Sequence, residues 1–253
     1  MLSDLFRPGF GAALLLAGAT QFAPLAVQAE GLRYSIGLYA GASTSPFDKD
    51  ETEAFAAPDF LIEGERFSFG TSGLTYDFFQ TDGLALSARL APRFVTADPT
   101  DVAGLERLKK DIAVEAGLAA HLTYGQFELG IEALKDVSDT HDGMAVTASV
   151  GTRVQFSDRF GIGARVGATW MDRKLATYTY GVRPSEAGSG IAAYNVTDSV
   201  IPTIGIDVSY AVTDKTTVIA GVSANFLSES VAASPIVKRD TLVSAMIGLR
   251  YAF

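Results

Sequence analysis

The chain closes on "TLVSAMIGLRYAF", residues 241–253, with a phenylalanine as its last residue. Stepping back by twos from Phe253 gives Tyr251, Leu249, Ile247, Ala245 and Val243, while Ala252, Arg250, Gly248, Met246 and Ser244 lie between them. One row is greasy and the other is mostly small or charged. A repeat of two residues marks a strand rather than a helix. A soluble sandwich turns such an apolar row in on a core, whereas a membrane barrel turns it out on lipid. The ending alone does not choose between them.

The same alternation recurs upstream. Tyr34, Ile36 and Leu38 share a face, as do Leu84, Leu86 and Leu90, Leu118, Leu122 and Tyr124, and Phe127, Leu129 and Ile131. Val150 to Phe156, Phe160 to Trp170, Ile204 to Tyr210 and Val218 to Phe226 continue the series, and no convincing helical period follows residue 30. The opposite faces carry Gly, Ser and Thr together with Arg33, Arg89, Arg93, Glu115, His121, Glu128, Glu132, Arg153, Arg165, Asp207 and Arg250. The apolar rows often begin or end in an aromatic, which suits the girdles that line a membrane interface.

The connections supply an independent test. "TDG" at 81–83, "YGQ" at 124–126, "SDR" at 157–159 and "TDK" at 213–215 are tight turns, and between them lie long connections at 44–54, 97–109, 135–143, 172–198 and 229–240. Outer-membrane barrels sort their loops in this way, short on the periplasmic side and long outside. The expected fold is therefore all-β: a closed antiparallel transmembrane β-barrel of 10–12 strands with both termini periplasmic. The count turns on "EGERFSFGTSGLTYDFFQ", residues 63–80, where the apolar phase slips from Phe67 and Phe69 to Leu74 and Tyr76. As one bulged strand it gives ten, with 55–64 in an external hairpin; as two, with 55–64 spanning, it gives twelve.

The first residues read as a leader. Arg7 precedes the apolar stretch "FGAALLLAGA", and "LAVQA" places small residues at Val27 and Ala29, the pattern of a cleaved secretory signal over 1–29. The barrel is then expected over 30–253, in the outer membrane of a Gram-negative cell after cleavage near Ala29. The chain has no cysteine, which removes disulfides and thiolate metal sites. Its formal charge of −9 argues against a nucleic-acid partner, whose phosphates demand a basic surface.

"HDG" at 141–143, "YGV" at 180–182, "SGIAAY" at 189–194, "SPIV" at 234–237 and the closing "GLRYAF" resemble the MipA/OmpV family of outer-membrane proteins over residues 82–253. The resemblance implies a non-enzymatic scaffold, without cofactors, that brings a lytic transglycosylase to a penicillin-binding protein in murein synthesis and turnover. Other members are discussed as porins, so a small porin with a charged lumen is the alternative. Embedded in outer-membrane lipid, such a chain also meets the barrel-assembly machinery, and a last strand ending in Tyr251 and Phe253 resembles the signal that machinery reads.

No catalytic or metal site is expected. His141, with Asp139 two residues before it and Asp142 after it, resembles part of a rim protease site, but turn chemistry explains "SDTHDG" as well. His121 is read as a lumenal histidine, and "FDKDETE" at 47–53 lacks the spacing of a calcium loop. The inward charges admit two readings, a cross-lumen network that plugs the barrel or the lining of a water-filled pore. If they plug it, Glu132→Gln should cost about 3–5 kcal/mol; if water screens them, about 0–1 kcal/mol. On the last strand Leu249→Arg should cost about 2–4 kcal/mol near the bilayer midplane, and Gly248→Ser, on the other face, should be mild.

Overall fold

The computed structural model describes residues 31–253 apart from Lys49, Glu51, Thr96 and Ser189, so the expected leader at 1–29 lies outside the described residues. Twelve strands run β1 Arg33–Thr44, β2 Thr52–Glu63, β3 Phe67–Gly70, β4 Gly73–Gln80, β5 Leu84–Arg93, β6 Ala113–Tyr124, β7 Phe127–Asp136, β8 Met144–Ser157, β9 Phe160–Met171, β10 Ser199–Thr213, β11 Thr216–Phe226 and β12 Thr241–Ala252. Each pairs antiparallel with its neighbours, and β12 closes on β1 from Ser35 opposite Ala252 to Ser43 opposite Ser244. Closure leaves no free first or last edge, as hydrocarbon requires.

The greasy row of the last strand faces outward. Leu249 and Ile247 are 49% and 57% exposed, whereas Met246 and Ser244 of the alternate row are buried. The same holds around the wall, from Ile36 and Leu38 to Ile131 and Ile206. The connections 64–66, 81–83, 125–126, 158–159 and 214–215 gather at one rim, the turn end, and 45–51, 94–112, 137–143, 172–198 and 227–240 at the other, the loop end.

The phase slip at 63–80 is a hairpin, so the count of twelve holds, but β3 is only four residues long and does not cross. Phe67 pairs with Tyr76 and Phe69 with Leu74, which keeps all four rings and chains outward. Gly73 makes the turn in the left-handed region at φ +103, and a Cβ there would sit 2.2 Å from the Leu90 carbonyl. Two prolines stand where the hairpin stops. The Phe60 N–H donates to Thr71 Oγ1 and its carbonyl accepts from the Thr71 N–H, so even-numbered β2 residues turn their backbone groups away from β1. Pro58 is next on that edge. By the same parity Pro92 faces the β4 side of β5, where Leu84 O accepts from the Thr81 N–H. A strand edge is where a missing N–H is tolerated, and proline there blocks further pairing.

Three elements depart from the all-strand reading, the shortest a 3-10 turn at Pro99–Asp101. Helix α1, Arg173–Tyr180, begins at Asp172, whose carboxylate accepts from the Leu175 N–H, and a single helical turn spans Glu229–Ala232. Eight residues are too few to show a 3.6-residue period against the surrounding loop.

Gly248 also corrects an expectation. A Cβ at that position would lie 2.1 Å from the Tyr39 ring, so Gly248→Ser overpacks the lumen rather than being mild. We expect it to cost about 1–3 kcal/mol, overlapping the 2–4 kcal/mol that Leu249→Arg would cost at the bilayer midplane. Urea midpoints of both variants check this, and a Gly248→Ser midpoint equal to that of the unaltered protein would contradict the Tyr39 contact.

Candidate functional site

The lumen is laced by ion pairs. Arg89 Nε lies 3.0 Å from Glu132, Arg93 Nε 2.7 Å from Glu115, and Arg165 3.8 Å from Glu128. Arg153 pairs with Asp207, and Arg250 NH2 lies 2.9 Å from Asp59 and donates to the Tyr39 hydroxyl. Arg33, near the turn end, reaches Glu63 at 3.8 Å. Four of these pairs reach over an intervening strand, three of them where its inward residue is a glycine: Gly37 stands opposite both Arg250 and Asp59, Gly163 opposite Arg153 and Asp207, and Gly151 opposite Glu128 and Arg165. Asp59, Glu63 and Tyr39 are the members that sequence reasoning missed. The inward phase of β2 would have found Asp59 and Glu63 had 55–64 been taken as spanning.

Exposure is graded along the lumen. On β7 the Glu128 and Glu132 side chains are 33% and 29% exposed, and Asp136, next toward the loop end, is 0%. On this side of the lumen the carboxylates are more accessible toward the turn end, whereas across it Asp59 and Arg250 are already closed off at 3% and 14%. A central chamber of about 190 Å³ is lined by Arg89, His121, Glu132, Ser149, Arg165 and Asp207 among others. A second hollow of about 110 Å³ lies above it, bounded by Arg93, Lys110 and Tyr178, and the two share Thr169 and Ser223.

The loop end is closed by a cap with its own apolar core. Phe47, Leu105, Leu108, Leu175, Val182, Val196, Val231 and Ile236, drawn from four long connections and α1, pack together and are buried. Tyr178 of α1 ties the loops to one another. Its hydroxyl donates to the Asp111 carbonyl at 3.0 Å and accepts from the Asp111 N–H at 2.6 Å, and its ring lies under Lys110 and Arg183. Lys110 meets the buried Glu186 at 3.4 Å, and Arg183 donates to the same carboxylate.

His141 is sealed beneath this cap, its side chain 0% exposed. Its Nε2 lies 3.3 Å from Glu115, and its Nδ1 accepts from the Gly143 N–H. Asp136 accepts from the N–H groups of Ser138, His141 and Asp142, a turn in which Asp139 and Asp142 both adopt positive φ. The carboxylates beside His141 are thus Glu115 and Asp136, not Asp139, and no substrate reaches the ring in this conformation. Among the described residues no group of three His, Asp or Glu side chains is arranged to hold a metal. At the turn end the Tyr251 and Phe253 rings meet edge to face, 5.1 Å apart.

The cap should respond to acid. Burial works to raise the Glu186 carboxyl, but the Arg183 hydrogen bonds and the Lys110 charge outweigh it and hold it below its ordinary value of 4.5. Burial pushes the Lys110 ammonium down, partly offset by Glu186. A carboxyl depressed on folding contributes stability that is full above its unfolded value and is lost as pH falls through its folded one. Proteolysis of the 172–198 connection is therefore expected to accelerate below about pH 4. Glu186→Gln should show the same susceptibility at neutral pH and little further change in acid.

An outward apolar wall, aromatic rims and a closed antiparallel barrel define an outer-membrane protein. The sequence pattern described as "MltA-interacting protein MipA" matches residues 36–253, and the chain belongs to that family. The MltA-interacting protein of Escherichia coli (strain K12) is 26% identical over 231 residues, covering 89% of this chain and 92% of the relative. YiaT of the same strain, whose name assigns it to the outer membrane, is 26% identical over 236 residues, 91% of this chain and 95% of its own length. Among solved structures, the NanC porin is similar with a TM-score of 0.49 and 7% identity, over 85% of this chain and 98% of the porin. An outer-membrane channel from Pseudomonas putida F1 is similar with a TM-score of 0.45 and 10% identity, over 92% and 100% of the two chains.

Proposed function

We propose that this protein is a non-enzymatic scaffold that links the outer membrane to the murein synthesis and turnover machinery. The observation that carries the reading is the cap: five long connections lie at one mouth and most of them bury a shared apolar core across it, which suits a plug better than a conduit. In this reading the loop end faces outward, both chain ends face the periplasm, and a leader over 1–29 is removed near Ala29. Tyr251 and Phe253 serve as the signal for the barrel-assembly machinery. A relative is named for its interaction with MltA, and the partner proposed here is likewise a lytic transglycosylase, joined by a penicillin-binding protein. Such partners would meet the turn end.

Capture of a lytic transglycosylase by the purified, tagged barrel, together with no conductance in planar bilayers, is the expected outcome. Regular conductance steps without capture would replace the scaffold with the alternative, a small porin with a charged lumen.

A further inference from the structure

The central chamber has no task in a scaffold that docks its partners at a rim. Four lining positions on neighbouring strands, Gly130, Gly167, Gly205 and Gly221, carry no side chain. At Gly205 and Gly221 a Cβ would meet nothing nearer than 3.4 Å, so larger residues would fit there and fill the space. Protein interiors are ordinarily packed without such hollows. This one has a largely apolar wall set with a few charged and hydroxyl groups, and the apolar core of the cap makes it blind at the loop end.

Its chemistry narrows the occupant. Two guanidinium groups, Arg89 and Arg165, and two carboxylates, Glu132 and Asp207, line one space together with the hydroxyls of Thr147, Ser149 and Thr203. Arg89 and Glu132 face each other at 3.0 Å, and Asp207 and Arg165 are paired with Arg153 and Glu128, so the lining is balanced in charge and an ion of one sign finds no net attraction. A solute carrying both signs matches both halves. At about 190 Å³ the chamber is smaller than the roughly 300–1,000 Å³ pockets that take drug-sized ligands. We infer that the lumen binds a small zwitterion, an amino acid or a dipeptide, with its carboxylate toward Arg165 beside His121 and its ammonium toward Glu132 and Asp207. The blind end makes this a place of binding rather than transit.

Titration calorimetry of the purified barrel in detergent, with alanyl-alanine, acetate, ethylamine and glucose as probes, tests the inference. Saturable binding of the dipeptide at about 1 mM or tighter is expected. Acetate and ethylamine should bind at least about tenfold more weakly. Gly221→Leu, which fills the chamber, should abolish binding while the barrel keeps its heat-modifiable migration, and Gly205→Leu is the second filled variant. Absence of saturation by the dipeptide, acetate or glucose binding as tightly as the dipeptide, or unchanged binding in a folded Gly221→Leu or Gly205→Leu barrel would overturn the assignment. If neither variant folds, the selectivity of the unaltered protein decides alone. Transglycosylase capture plays no part in these outcomes, so the chamber and the scaffold stand or fall separately.

Discussion

Asp59→Asn is expected to destabilise the barrel by about 3–5 kcal/mol, the range for breaking a buried ion pair by removing one partner. The Asp59 side chain is 3% exposed and that of Arg250 14%, so little water is at hand to take over when the carboxylate is lost. Arg250 keeps the Tyr39 hydroxyl and at most a neutral amide oxygen, neither of which balances its charge, and the Tyr39 ring fills the space that Gly248 leaves open. The comparison is Glu132→Gln. Glu132 is 29% exposed beside the chamber, and Arg89, although no more exposed than Arg250 at 14%, also donates to Thr75 Oγ1, so that loss should be smaller than that of Asp59→Asn, about 1–3 kcal/mol. Lumenal charges therefore do not belong to one class: the carboxylates are buried at Asp59 and Glu115 and about one-third exposed at Glu128 and Glu132. Urea denaturation of the two variants in the same detergent checks the ranking, and equal midpoints would refute it.

Glu115→Gln should cost a similar amount, about 3 kcal/mol at the lower end of that range, because Arg93 retains some solvent. The Glu115 side chain is 2% exposed and is shared by Arg93 at 2.7 Å and His141 at 3.3 Å. Its loss removes the side-chain contact between His141 and β6, leaving the 137–143 turn held there by the hydrogen bonds of Val137 and Ser138 to Val114, and His141 lies 5.5 Å from the ring of Tyr178, which pins the cap. Two readouts should move together: the melting temperature falls, and the 172–198 connection becomes open to protease at neutral pH. A lower melting temperature with an unchanged cleavage rate would separate the Glu115 cluster from the cap.

Much of the architecture was legible because its cause is local. A strand alternates every two residues, so Ile247, Leu249 and Tyr251 declare a face without reference to any other part of the chain. Turn residues declare themselves as well, and the sorting into short and long connections distinguished a barrel from a sandwich. The slip at 63–80 was visible but ambiguous, since a bulge and a tight hairpin shift the phase alike; Pro58 and Pro92, on the facing strands, carried the missing information. Helix α1 was hidden by its length, and its role by the distance in sequence between Tyr178 and Asp111.

By itself the sequence determined that this chain is a membrane barrel, which residues of most strands, β2 excepted, face lipid and which face the lumen, and at which rim the long connections lie. Tertiary structure alone decided which acid meets which arginine, that the loops share a core over one mouth, and that a hollow remains beneath it. The first set follows from the period of a strand and the chemistry of a turn, both properties of neighbours in the chain. The second depends on the register and tilt summed around twelve strands, which bring Asp59 to Arg250 and Lys110 to Glu186 across long stretches of sequence that no local pattern spans.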